Sequence, residues 1–357
     1  MVVAAGGTAG HVVPAIAVAD ELRASGAQVS FLGTRERAES ELVPAAGYEI
    51  DFVKVRGIDR RNPLKAARAG FEALAAVGAA RRALRTRRAD VVMGGGGFVA
   101  GPAGLAAALS GTPLVLTEAD SHMGLANRLL AGRAKRVCLA FPVAARDDER
   151  YEVTGRPVPA GVVGADRAAG RERLGIPEDA RALMVFGGSQ GARSINFASL
   201  AAFAERPGRD FHVVHLSGRR DHEELAARLA AAPYKEGYRL SPYEPDFGAV
   251  LAAVDLVLGR SGGSIFELTA AGRPAILVPY PHATADHQAA NAEWMREQGA
   301  ASVIADSELD AERLAGEVEG LFGDERRLRE MAAAARRIAK PEAARTIADR
   351  VLEAARG

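Results

Sequence analysis

Short runs of aliphatic and β-branched residues recur along the chain, separated by longer Ala/Leu/Arg-rich stretches with apolar positions at helical spacing. Such short runs, bounded by glycine, proline or charge, read as buried strands, and the stretches between them as helices. Regular alternation of the two predicts a parallel sheet covered by helices, so the fold class is α/β. In the first half the strands are expected at residues 2–5, 29–32, 50–53, 91–93, 114–117 and 136–140. In the second half they are expected at 182–186, 211–215, 254–258, 275–278 and 301–304. Expected helices include 14–24, opened by Pro14 in its first turn, and 223–232.

The two halves begin alike. Strand 2–5 runs into Gly6-Gly7-Thr8-Ala9-Gly10-His11 and a helix, and strand 182–186 runs into Gly187-Gly188-Ser189-Gln190-Gly191-Ala192 and a helix. This echo predicts two Rossmann-like domains facing each other across a cleft. Prolines 157 and 159 interrupt helix and strand alike, which places the boundary there: residues 1–157 form one domain and 158–340 the other. Pro341 breaks a helical pattern that restarts after it, so residues 341–357 are expected to return to the first domain.

Composition narrows the function. With 357 residues there is room for two cores, and 46 basic against 45 acidic residues give no global attraction to a polyanion, so no nucleic-acid partner is expected. The single cysteine, Cys138, excludes an internal disulfide framework and a Cys-rich zinc site, as suits a reducing cytosol. No apolar run is long enough to span a bilayer, and no leader pattern opens the chain.

Loops 6–11 and 187–192 each offer backbone amides between a strand and a helix, a geometry that receives an oxyanion, although glycine also serves tight packing. Gly94-Gly95-Gly96-Gly97 costs chain entropy and suggests close approach of the backbone to a ligand or another domain. The glycine spacing departs from the dinucleotide fingerprint, which argues against hydride transfer. His11, at a helix N-terminus that disfavours the imidazolium, is a candidate base or a turn cap. Glu118 and Asp120 follow a strand at the edge where open α/β sheets bind ligands; either can meet a sugar hydroxyl, or Asp120 or Ser121 can cap a helix. In the stretch Arg260-Ser261-Gly262-Gly263-Ser264-Ile265-Phe266-Glu267 the turn can face a diphosphate, and Glu267 can hold a diol or lie solvated on its helix. Asp286 and Gln288 suit hexose hydroxyls, with capping as the other reading of Gln288. His282 and His287 lack metal-ligand spacing, so no metal is expected.

Taken in order, these motifs resemble the MurG family, N-acetylglucosaminyltransferases of GT-B architecture. The resemblance rests on residues 6–11 with Pro14, Gly95-Gly96-Gly97-Phe98-Val99-Ala100-Gly101-Pro102, residues 187–193, residues 260–267, and Asp286-His287-Gln288 with Asn291. Three places depart from the family: Ala9 replaces a glycine, Thr117-Glu118-Ala119-Asp120 stands for His-Glu-Gln-Asn, and Gly155-Arg156-Pro157-Val158-Pro159 stands for Gly-Asn-Pro-Val-Arg. The turn before Glu267 is also one residue shorter.

The resemblance implies inverting, metal-independent transfer of N-acetylglucosamine from UDP-N-acetylglucosamine to the C4 hydroxyl of the muramyl sugar in lipid I. A related transferase with another lipid or natural-product acceptor is the alternative. It implies His11 as base, and Thr8, Gly10, Asp120, Arg156, Ser189, Gly263, Glu267 and Gln288 as donor-binding residues. Gly7, Gly96 and Gly97 are implied in loops that receive the acceptor or its phosphates, and no cofactor is implied. A lipid-linked acceptor further implies peripheral attachment at the cytoplasmic face of the membrane. Residues 60–88 carry nine Lys/Arg against one acidic residue, interleaved with Leu64, Phe71, Leu74 and Val77, and read as an anionic-membrane face or as a basic helix packed on the core.

Overall fold

The computed structural model describes residues 1–55, 63–142, 148–188, 190–283 and 286–357, with residues 63–71 and 73 described as backbone only. The chain divides into two units, Met1–Pro159 with Lys340–Gly357, and Ala160–Ala339.

Unit 1 contains strands β1 (Val2–Ala4), β2 (Ser30–Gly33), β3 (Glu49–Phe52), β4 (Val92–Gly94), β5 (Leu114–Glu118), β6 (Arg136–Leu139) and β7 (Tyr151–Val153). Its helices are α1 (Ala9–Ala24), α2 (Glu39–Ala45), α3 (Pro63–Thr86), α4 (Ala100–Ser110) and α5 (Leu125–Leu130). The sheet is parallel in the order β3-β2-β1-β4-β5-β6-β7, so the strand order reverses between β1 and β4.

Unit 2 contains α6 (Ala160–Val163), α7 (Arg167–Leu174), β8 (Ala182–Phe186), α8 (Arg193–Phe203), β9 (His212–Leu216), α9 (His222–Ala231) and β10 (Tyr238–Ser241). It continues through α10 (Phe247–Ala253), β11 (Leu256–Gly259), α11 (Ile265–Ala270), β12 (Ala275–Leu277), α12 (His287–Glu297), β13 (Ala301–Val303), α13 (Ala311–Gly323) and α14 (Glu325–Ile338). Its sheet, also parallel, has the order β10-β9-β8-β11-β12-β13 and reverses between β8 and β11.

The last helix, α15 (Ala343–Arg356), returns to unit 1. Its Ile347, Ala348 and Val351 share a core with Val12, Val18 and Leu22 of α1. Arg350 fixes its register with a two-pronged bond to Glu152 of β7, at 2.6 and 3.0 Å.

Two strands, β7 and β10, were not expected. Both lie at a sheet edge, pair on one side only and alternate polar with apolar residues, so no continuous apolar run announces them. The first helix also differs: α1 starts at Ala9, and Pro14 lies inside it rather than in its first turn. Proline there deprives the Gly10 carbonyl of its helical donor, and the guanidinium of Arg156 donates to that oxygen instead. The bond that proline removes is thus replaced from outside the helix.

Candidate functional site

In open α/β sheets, ligands bind beyond the carboxyl ends of the strands where the strand order reverses. In unit 1 the loops at that point are those after β1 and β4, and in unit 2 those after β8 and β11. These are the four glycine-bearing turns of the sequence.

In unit 1 the two glycine turns meet each other. Gly97 has φ +76°, and a Cβ on it would overlap the Gly6 carbonyl, while a Cβ on Gly96 would stand 2.6 Å from Cδ2 of His11. The glycine run is thus packed against the neighbouring loop and the His11 ring of its own unit. Gly7 departs from expectation. Its amide donates to Oε2 of Glu39 at 2.9 Å and is not available to an oxyanion. Glu39 is fully buried, and its other oxygen accepts from the amide and hydroxyl of Thr34 at 2.9 and 2.7 Å. Nothing local in the sequence marks Glu39, because its partners lie 5 and 32 positions away.

His11 is the third residue of α1, with Nδ1 3.3 Å from Oγ1 of Thr8. Burial holds its imidazole below the ordinary value, the charge of Arg156 acts in the same direction, and Asp120 and Glu39 oppose them. The neutral base anticipated from the helix terminus is thus produced first by burial and then by a neighbouring cation. Thr8, Gly10, His11, Asp120 and Arg156 share one neighbourhood: Thr8 precedes the first turn, Arg156 binds Gly10, and both Arg156 and Asp120 act on His11.

Glu118 is corrected from sugar ligand to scaffold. It is buried, and its oxygens accept from the amides of Asp120 and Gly124 at 3.3 and 2.8 Å and from Asn127 Nδ2 at 2.9 Å. Burial pushes its carboxyl up against the pull of these donors. Neither Asp120 nor Ser121 caps the following helix, whose N-cap is Gly124.

In unit 2, Gly188 and Gly191 both have positive φ, and a Cβ on Gly191 would overlap the carbonyl of Ser217. Ser189 lies outside the described residues. Arg260 braces the other turn: it is buried and donates to the carbonyls of Val278 and Pro279 at 3.1 Å, to Asp306 Oδ1 at 2.6 Å and to Ser194 Oγ at 2.9 Å. It thereby ties the loop after β11 to the segment after β12 and to the first turn of α8. Glu267 stands in the first turn of α11, half-buried.

Gln288 packs on the turn that leads into Gly263 and Glu267. Ser261 Oγ donates to the Gln288 carbonyl at 2.7 Å, Asn291 Nδ2 donates to the Ser261 carbonyl at 3.0 Å, and a Cβ on Gly262 would lie 3.8 Å from Nε2 of Gln288. The side-chain oxygen of Gln288 accepts from the Tyr280 amide at 3.0 Å, and the cap of α12 is Asp286, held at φ +56°. Gln288 is therefore a loop tie, not a helix cap. Among the described residues no three His, Cys, Asp or Glu side chains gather in a way that could hold a metal ion.

Two parallel sheets, each with paired glycine turns at its reversal point, make up a chain that the two domains of a glycosyltransferase family match in turn. The glycosyltransferase family 28 N-terminal domain matches residues 1–139, and the family 28 C-terminal domain matches residues 182–351. A relative from Nitrosococcus oceani is 42% identical over 100% of this chain and 99% of its own length. One from Moorella thermoacetica is 40% identical over 99% and 98%. Both are named UDP-N-acetylglucosamine–N-acetylmuramyl-(pentapeptide) pyrophosphoryl-undecaprenol N-acetylglucosamine transferase. The crystal structure of Acinetobacter baumannii MurG covers 99% of both chains with a TM-score of 0.79 and 31% identity. The calicheamicin glycosyltransferase CalG4, at 24% identity and a TM-score of 0.72, shares the fold. The chain belongs to the MurG family of glycosyltransferase family 28.

Proposed function

We propose that this enzyme transfers N-acetylglucosamine from UDP-N-acetylglucosamine to the C4 hydroxyl of the muramyl sugar of lipid I, forming lipid II for peptidoglycan. The observation that carries the reading is the pair of glycine turns at both sheet reversals, in a chain matched end to end by transferases of that name. That shared name favours the lipid-linked acceptor over a natural-product acceptor.

Unit 1 receives the acceptor and unit 2 the donor. Neutral His11 takes the proton of the C4 hydroxyl as the oxygen forms its bond to C1 of N-acetylglucosamine. The bond from C1 to the β-phosphate oxygen breaks on the opposite face, so the configuration inverts and the electron pair leaves with UDP. Amides and helix N-termini at the turns of unit 2 meet the charge on the departing diphosphate without a metal. Glu267 accepts from the two ribose hydroxyls, and Gln288 meets the sugar. The test is incubation with UDP-N-acetylglucosamine and a lipid I analogue; absence of both UDP release and a disaccharide product would sink the reading.

The acceptor's lipid also calls for attachment to the cytoplasmic face of the membrane. Among the described residues no helix is long and apolar enough to cross a bilayer. Of the segment 60–88, Leu64 and Phe71 lie outside the described side chains, Val77 is buried in the core, and Leu74 is 67% exposed. Leu109 of α4 and Leu125 and Leu129 of α5 are also exposed, and α5 carries Arg128. Arg81 bonds Ser110 and so holds a cation beside the end of α4. Exposed leucines among cations suit an anionic bilayer surface. Cosedimentation with anionic vesicles that weakens as salt rises is the expected result, and failure to bind at low salt would remove this face.

A further inference from the structure

A second recess in unit 1 is not used by this reaction scheme. It measures about 770 Å³ and lies beyond the carboxyl ends of β1, β2 and β3, with Gly7 and Phe98 in its lining. Arg35, Arg37 and Lys54 line it, all exposed, and among the described residues none of the three is ion-paired. The Arg35 guanidinium stacks 4.5 Å from the centre of the Phe52 ring, which orients its donors without neutralising them. Phe98 is 49% exposed and presents a large apolar surface to the recess. Glu36 adds one exposed carboxylate, whereas Glu39 is already spent on Gly7 and Thr34.

We propose that this recess is a subsite for the peptide of the acceptor. Its cations take stem carboxylates, Phe52 and Phe98 take aliphatic portions, and Glu36 takes an amine. The inference rests on the lipid I reading. The acceptor's pyrophosphate is the other anion in question, but a compact polyanion needs only converging donors, and here three cations share the wall with the Phe52 and Phe98 rings and with the acid Glu36. The position fits as well, because Gly7 and the turn ending at Phe98 belong to the two loops that pack around His11. A muramyl sugar presented to His11 carries its peptide within reach of the same loops.

The experiment compares KM for two lipid I analogues, one with the pentapeptide and one without it, in the wild type and in the variant Arg35→Gln/Arg37→Gln/Lys54→Gln. All three positions are exposed, and thermal unfolding checks that the variant is folded. Wild type is expected to favour the pentapeptide acceptor, and the variant to lose about tenfold of that preference. Equal KM for both acceptors in wild type, or a preference unchanged in the variant, overturns the subsite. A KM raised equally for both acceptors assigns the cations to the pyrophosphate and also overturns it. No transfer to either acceptor overturns the lipid I reading itself, and the subsite with it.

Discussion

Arg156 donates to the carbonyl of Gly10, the oxygen that Pro14 leaves without a helical partner. One guanidinium therefore completes the first turn of α1 and places a positive charge beside His11, where it helps hold the imidazole below its ordinary value. The family's motif has its arginine three positions later, so Arg156 has a use in this chain that the motif did not suggest.

Replacing Arg156 by Met should raise the His11 pKa, because a cation that opposed protonation is gone. The acidic limb of kcat/KM, set by the base in the free enzyme, should move to higher pH. It should stay below the ordinary imidazole value, since burial, the larger cause, remains. A pH–rate profile with an unmoved acidic limb would separate Arg156 from the base.

His11→Ala removes the proton acceptor and leaves unit 2 intact. Turnover should fall by about a hundredfold or more, while UDP affinity stays near wild type. Steady-state kinetics alongside calorimetry with UDP checks both halves, and near-normal turnover would reject the assignment.

Glu267→Ala should have the opposite signature. If the carboxylate holds the ribose diol, UDP binding should weaken by about 1.5 to 3 kcal/mol, the range for charge-assisted hydrogen bonds. Calorimetry reads this directly, and unchanged affinity would end the role.

What could be read in the sequence was whatever repeats locally. Buried strands such as β8 and β11 are continuous apolar runs, and glycine turns stand at their ends, so the α/β class, the doubled unit and the returning helix were all legible. Edge strands β7 and β10 were not, because one-sided pairing needs no apolar run. The carboxylates escaped for a related reason. Glu118 looks like an available ligand in the sequence and Glu39 is not marked there at all, yet each is engaged by backbone amides that the fold brings to it. A polar residue's availability depends on how the backbone turns back on it, whereas a strand's burial is written in its own neighbours.

Glu39 supplies a stability test of that point. Glu39→Ala would leave the half-buried Gly7 amide and both Thr34 donors without the acceptor that the buried carboxylate supplies. The loss should be about 3 kcal/mol or more. Chemical denaturation measures it, and a loss within about 0.5 kcal/mol, as for a surface change, would show that water replaces the carboxylate.

His215 makes the folded state sensitive to acid. It is wholly buried on β9, and burial, with His222 nearby, pushes its pKa down to about 3. The neutral ring is satisfied in one tautomer: Nε2 donates to Asn196 Oδ1 at 3.0 Å, and Nδ1 accepts from the Tyr238 hydroxyl at 2.8 Å. The unfolded chain takes up a proton at about 6.5, whereas the folded chain resists it until about 3. Between those values the unfolded state binds more protons, so the stability contributed by neutral His215 is complete above about pH 6.5 and is lost as pH falls. From pH 7 to pH 5 this one site should cost about 2 kcal/mol. Urea unfolding at the two pH values, in wild type and in His215→Gln, isolates the contribution whatever the variant's overall stability. The variant should lose about 2 kcal/mol less than wild type over that interval, and equal losses would mean that His215 is not held neutral by the fold.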